Sequence, residues 1–406
     1  MQGNDRKHLP RNGCFLSSDI REESMKTLDQ PGMQLKLVLI FFRHGARTPI
    51  RITPGIEEAN WDKEMCVEED HHKVEYEIFS LDGKSGPHHS PIEQSYQANA
   101  FKGGATRGQL TVLGMNQSYE LGTYFKKHYI EKCNFLSPEF SSNELFMRST
   151  NINRNIKSLS CVLGGLYGDN LSTKQNGSPR IHVDHSSTEI LYPNYQHSKP
   201  LMDNFFKTIK NTDVVPGVRH VRLQIQELLE QNEDVHLDLV SVRDGISARK
   251  VHDVPLSAVL EPLASVIEKA AVGIMCHSLG KGTDTLQYAI GPLLQLILSN
   301  IERVTSQTCE DKMHLYAVHD TTLIPLLIAL GIFEDAWPGF CSDVIVEMYQ
   351  DQNGDCFIRI LYLGKEKKLG PNNNTLLPMQ EFKDLLSPCL INKEEFEKSL
   401  INVETF

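Results

Sequence analysis

The sequence predicts an α/β fold: a mostly parallel sheet flanked by helices, with a helical cap inserted into it. Three observations carry that expectation. Two short, nearly all-apolar runs, residues 35–42 and 313–318, have the composition of strands buried on both faces. Strand and helix patterns alternate between them, as a parallel sheet with crossover helices requires. The block 190–280 is more polar and largely helical in period, and strand signals resume after it. The expected division is a loose N-terminal tail at 1–34, a catalytic core from 35–189 and 281–406, and the cap at 190–280.

Taken in order, the tail mixes polar, Gly and Pro residues without periodicity. The strand at 35–42 is followed by an irregular stretch to about residue 101, punctuated by His71-His72 and His88-His89. Residues 109–127 offer Leu110, Leu113, Leu121 and Tyr124 for one helical face, and 144–147 is a short strand running into Arg148. Ile152, Ile156, Leu159, Leu163 and Leu166 recur at helical spacing, the cleanest such period in the chain. A strand is expected at 179–184 and a cap helix at 218–230. A helix kinked at Pro292 is expected over 284–301. Strands at 344–349 and 357–363 flank Asp351-Gln-Asn-Gly354, a good hairpin turn.

The balance of 40% apolar and 23% charged residues in 406 is that of a globular protein with ample core. A net charge of −11 argues against a nucleic-acid partner, although a few local arginines can still hold a phosphorylated substrate. No apolar run reaches the length of a membrane span, and residues 1–34 show neither a secretory block nor an Arg-rich, acid-poor transit pattern. As given, the N-terminus points to the cytoplasm. The tripeptides at Asn116, Asn170, Asn176 and Asn373 fit the glycosylation pattern but carry little weight without a secretory signal. Nine cysteines without a CxxC pair favour reduced thiols. Adjacent histidines in a loop are expected to point apart, and no carboxylate stands at helical spacing from them, so no metal site is expected. The region 273–283 lacks P-loop spacing, and no G-x-S-x-G elbow occurs.

The chemistry concentrates in Arg43-His44-Gly45-Ala46-Arg47-Thr48-Pro49, directly after the first strand. Ligands of open α/β sheets bind at the carboxyl ends of strands. Arginine forks match phosphate oxygens, so Arg43 and Arg47 read as an anion clamp with His44, a potential nucleophile, between them. A chance match to five fixed residue types at this spacing is on the order of one in several thousand for a chain of this length. Arg148, at the end of a second strand, adds a cation at the same edge; Thr150 or Asn151 is expected to cap the following helix, and Arg154 is a less certain contributor. His319-Asp320 ends a third strand and can supply an acid for a departing alkoxide.

These pieces, in this order, resemble the histidine acid phosphatase family of the phosphoglycerate mutase-like superfamily. Flanking segments at 101–104, 109–115, 146–152, 191–196 and 319–333 resemble a branch of that family acting on lysophosphatidic acid, and the likeness spans about residues 35–365. The resemblance implies that His44 forms a phosphohistidine, that Arg43, Arg47, Arg148 and His319 bind the phosphate, and that Asp320 protonates the leaving group. It implies no metal or organic cofactor, and a phosphomonoester substrate, a lysophospholipid in that branch, cleaved to monoacylglycerol and phosphate. The branch is mitochondrial, which the N-terminus as given does not match. A general acid or sugar-phosphate phosphatase of the same family remains open, as does a silent phosphate-binding module.

Overall fold

The computed structural model describes residues 31–401 except 54, 82, 84, 85, 87–89, 172–177, 231–236, 307, 309 and 310. Most of the expected tail, the pair His88-His89 and the sequon at Asn176 lie outside the described residues. The strands are β1 (Gln34–Arg43), β2 (Glu77–Ser80), β3 (Leu145–Ser149), β4 (Arg180–Val183), β5 (Met313–Val318), β6 (Asp343–Gln350), β7 (Cys356–Tyr362), β8 (Lys365–Glu366) and β9 (Leu376–Pro378). They form one nine-stranded sheet in the order β2-β4-β3-β5-β1-β6-β7-β8, with β9 also on β7. The sheet is mixed. From β2 to β1 every pairing is parallel; from β1 onward every pairing is antiparallel, including the expected hairpin of β6 and β7.

The helices are α1 (Pro91–Gln97), α2 (Val112–Phe125), α3 (Asn153–Tyr167), α4 (Lys199–Lys210), α5 (Val218–Leu228), α6 (Leu239–Val251), α7 (Ala264–Ser278), α8 (Leu286–Thr305), α9 (Asp320–Ala329), α10 (Met379–Leu386) and α11 (Lys393–Ser399). β1 and β5 are buried on both faces because each side of the sheet carries its own core. Leu37, Leu39 and Phe41 face one cluster with Leu293, Ile297 and Leu323; Val38, Ile40 and Phe42 face another with Leu121, Leu159 and Leu163. That alternation explains why β1 reads as a continuous apolar run. Pro292 lies inside α8.

Helices α2 and α3 cover the second face and approach backbone to backbone. A Cβ on Gly122 would lie 2.0 Å from the Val162 carbonyl oxygen, and one on Gly165 the same distance from that of Tyr119. Helices α5, α6 and α7 bury a separate apolar cluster that includes Val221, Ile225, Val242, Ile246 and Ile267. Within the stretch expected to be irregular, β2 and α1 form. β2 is a four-residue edge strand with two exposed residues, and α1 starts on a Ser90 side-chain cap followed by Pro91. Neither is long enough to show a period.

Candidate active site

Parallel pairing brings three strand ends to one edge. Arg43 stands opposite Val318, and Ser149 opposite Ala317, so the segments after β1, β3 and β5 emerge side by side. The loop after β1 turns through a close approach to α2. A Cβ on Gly45 would meet the Gly114 carbonyl oxygen at 2.0 Å, and one on Gly114 would meet that of Ala46 at the same distance. The loop is then pinned: the Gly45 N–H donates to Ser158 Oγ (3.1 Å), the Ala46 N–H to Gln117 Oε1 (2.9 Å), and the Thr111 N–H to the Ala46 carbonyl (3.1 Å).

His44 is 1% exposed, and its Nδ1 lies 2.9 Å from the Gly45 carbonyl. A carbonyl only accepts, so Nδ1 carries the proton and Nε2 keeps its lone pair. Burial, followed by the positive charge of Arg154, Arg47 and Arg43, pushes the imidazole well below its usual range. Both influences favour the neutral ring. His319 lies edge-on at 5.6 Å between ring centroids, is also driven down chiefly by burial and Arg154, and bonds Thr150 Oγ1 through Nε2 (3.0 Å). Thr150 thus contacts a site histidine instead of capping α3, and neither it nor Asn151 is the cap: Ile152 holds that position without a side-chain bond.

The predicted arginines are buried, and each carries a carboxylate. Arg43 Nη2 lies 2.6 Å from Asp320 Oδ2, Nη1 donates to the Pro338 carbonyl, and the guanidinium stacks 4.1 Å from the Phe340 ring centroid. Burial lowers the Arg43 pKa to about 10, with Asp320 opposing it. Arg47 forms a two-pronged pair with Asp244 of α6, Nη2 to Oδ1 at 2.8 Å and Nη1 to Oδ2 at 3.3 Å. Asp244 also accepts the Ile50 N–H at 2.9 Å. Arg148 pairs with Glu189 at 2.9 Å and lies 3.6 Å from Asp184. Arg154 is 6% exposed, and its Nε and Nη1 find no partner among the described residues.

Asp320, the first residue of α9, accepts the Trp337 indole N–H at 2.8 Å. Burial alone would lift its carboxyl, but Arg43, Arg47 and the indole bond outweigh burial and hold it far below the usual carboxylate range. All six predicted site residues, and Arg154, therefore meet at one edge. The sequence reading missed Asp244, Glu189, Trp337 and Phe340. They come from α6 and from loops without a motif, and a lone acid or aromatic in such a segment carries no signal.

The expectation that His71 and His72 point apart fails: their ring centroids are 3.9 Å apart in a 3₁₀ turn, beside Glu69. Among the described residues Cys66, Cys133, Cys161, Cys276, Cys356 and Cys389 are free thiols. Among the described residues no helix is long and apolar enough to cross a membrane.

Known proteins resemble this chain in sequence and in fold. The model of the histidine phosphatase superfamily, branch 2, matches residues 34–233 and 280–363. Lysophosphatidic acid phosphatase type 6 of Homo sapiens is 33% identical over 375 residues, which cover 91% of this chain and 86% of that protein. Prostatic acid phosphatase of Homo sapiens is 23% identical over 375 residues, 88% of this chain and 86% of that one. The multiple inositol polyphosphate phosphatase of Bifidobacterium longum, solved with inositol hexasulfate, shares the fold at a TM-score of 0.60 and 12% identity, over 94% of this chain and 98% of that one. An apolar sheet edge loaded with a neutral histidine and buried arginines has a family behind it: this chain belongs to the histidine phosphatase superfamily, branch 2, and is a phosphoric monoester hydrolase.

Proposed function

We propose that the enzyme hydrolyses lysophosphatidic acid to monoacylglycerol and phosphate without a metal, through a phosphohistidine on His44. The observation that carries the chemistry is the His44 tautomer: Nδ1 is tied to the Gly45 carbonyl, which leaves the lone pair on Nε2, in a ring under the charge of Arg154, Arg47 and Arg43. Arg43, Arg47, Arg148 and His319 hold the phosphate oxygens, and Nε2 attacks phosphorus as the ester P–O bond breaks. The departing alkoxide takes a proton from Asp320. Water then attacks the phosphohistidine, gives its proton to the Asp320 carboxylate, and the P–N bond breaks to release phosphate. A phosphate drawing on Arg43 and Arg47 weakens the charges that hold Asp320 ionised, which lets the carboxyl carry the proton the leaving group needs.

The lipid half of the reading rests on the 33% relative and on a cleft beside Pro49, where the phosphate motif ends. Ile52, Ile56, Phe101, Val242, Ile246 and Leu260 give it an apolar wall, with Arg51, Glu57, Glu58 and Arg249 also lining it. Its α6 wall also carries Asp244, so helices α4–α7 act as a cap that joins the chain-binding groove to the phosphate clamp. A general phosphomonoesterase is the second reading, favoured by the likeness to prostatic acid phosphatase.

Phosphate release from oleoyl lysophosphatidate, glycerol 3-phosphate and p-nitrophenyl phosphate, in EDTA, by the wild type and His44→Ala, tests both. Preference for the lysolipid and a dead variant support the proposal. Cleavage of p-nitrophenyl phosphate but not of the lysolipid refutes the substrate, and turnover by His44→Ala refutes the mechanism.

A further inference from the structure

Away from the phosphate site, the turn before β2 gathers three metal-ligating side chains. Glu69, His71 and His72 each offer one ligand atom, and the three atoms lie within 4.8 Å of one another. Glu69 Oε2 is 3.5 Å from His71 Nδ1. The two imidazoles share one second contact: Asn116 Oδ1 on α2 lies 3.2 Å from His71 Nε2 and 2.9 Å from His72 Nε2. An amide oxygen only accepts, so both Nε2 atoms carry protons and both Nδ1 atoms present lone pairs. A ligating histidine is commonly oriented in this way, its remote N–H given to a fixed oxygen. His72 is fully buried, yet its Nδ1 finds no hydrogen-bond partner among the described residues. A buried, unpaired lone pair is costly unless something occupies it.

We propose that Glu69, His71 and His72 form a binding site for one divalent transition-metal ion of the zinc class, separate from the reaction centre. The donor set, two imidazoles and a carboxylate, suits zinc, copper or nickel far better than magnesium or calcium. The ligand atoms lie within 4.8 Å of one another, and Glu69 Oε2 and His71 Nδ1 are already 3.5 Å apart, so zinc–ligand lengths of about 2.0–2.2 Å call for a modest approach of the donors. Glu69 and His71 are exposed and have that freedom. The ion would clip the turn to α2 through Asn116, beside an existing tie to α3 in which Lys157 donates to the His72 carbonyl and pairs with Glu68.

The test uses the full chain freed of metal with EDTA and then titrated with zinc chloride against a chromophoric chelator, with thermal midpoints followed in parallel. Cobalt(II) serves as the spectroscopic probe. Wild-type protein is expected to take up one zinc per chain and to melt at a higher temperature with it. Asn116→Ala should weaken that affinity about 10- to 100-fold, and His71→Gln and Glu69→Gln by at least as much. The last two lie on exposed side chains, and p-nitrophenyl phosphate turnover in EDTA verifies that they are folded. His72→Gln, which alters a buried position, is not needed for the decision. Zinc binding as tight in His71→Gln and Glu69→Gln as in the wild type, or no saturable binding by the wild type, would overturn the proposal.

Discussion

Replacing Asp320 by Asn separates proton donation from charge pairing, because the two roles lead to different substrate dependences. Asparagine keeps the shape and can still accept the Trp337 N–H, but it cannot deliver a proton to an alkoxide. For an alkyl phosphate, loss of a general acid costs about 10²- to 10⁴-fold in kcat/KM, or about 2.7–5.4 kcal/mol of transition-state stabilisation. p-Nitrophenolate leaves without help, so its ester should lose far less. kcat/KM is the parameter to read, since it ends at leaving-group departure and is blind to the later hydrolysis of the phosphohistidine, in which Asp320 acts as base. The same change strips Arg43 of the carboxylate 2.6 Å away and leaves a buried guanidinium with the Pro338 carbonyl and the Phe340 face. Breaking a buried pair typically costs about 3–5 kcal/mol, and saturating phosphate should recover part of it by binding the folded state. Steady-state kinetics on oleoyl lysophosphatidate and p-nitrophenyl phosphate decide the matter. Equal proportional losses on both substrates would show that Asp320 serves to place Arg43 and donates no proton.

Two further outcomes follow from charge and packing. Among the charged groups, Arg154 is the largest influence lowering His44, so Arg154→Met raises the His44 pKa and moves the acid limb of the kcat/KM–pH profile to higher pH; an unmoved limb would contradict that assignment. His128 is buried with its pKa lowered to about 4, mainly by burial. The unfolded chain binds that proton near pH 6.5 and the folded one does not, so stability is full above about pH 6.5 and is lost as pH falls toward 4, by up to about 3 kcal/mol. His128→Leu should flatten the fall of the thermal midpoint across that window, and an unchanged slope would count against it.

What was legible in the sequence divides along a physical line. β1 and β5 show themselves because burial on both faces forces a continuous apolar run, and α3 because one buried face forces a period. The predicted site residues are legible because they follow those strands directly, and parallel pairing then brings the strand ends together without further information. β2 and α1 are too short for a period. The antiparallel half of the sheet was foreseen only at its hairpin, where turn chemistry is local; its junction with β1 depends on long-range pairing. The His71-His72 turn is not legible because its two rings are fixed by Asn116, which lies on a helix distant in sequence.

The least legible residues are the ones that make the site possible. Four guanidinium groups, those of Arg43, Arg47, Arg148 and Arg154, are buried together, and unpaired burial of so much charge would be prohibitive. Asp320, Asp244 and Glu189 neutralise three of them, drawn respectively from α9, from α6 and from the loop after β4. Arg154 keeps two nitrogens without a hydrogen-bond partner among the described residues, and it is the largest charged influence on His44 and His319. Arg154 is thus the cation that an arriving phosphate can pair. Together with burial, the same cation lowers the His44 pKa. Phosphate capture and nucleophile activation are therefore one electrostatic arrangement, and a substitution that pairs Arg154 internally should weaken both together.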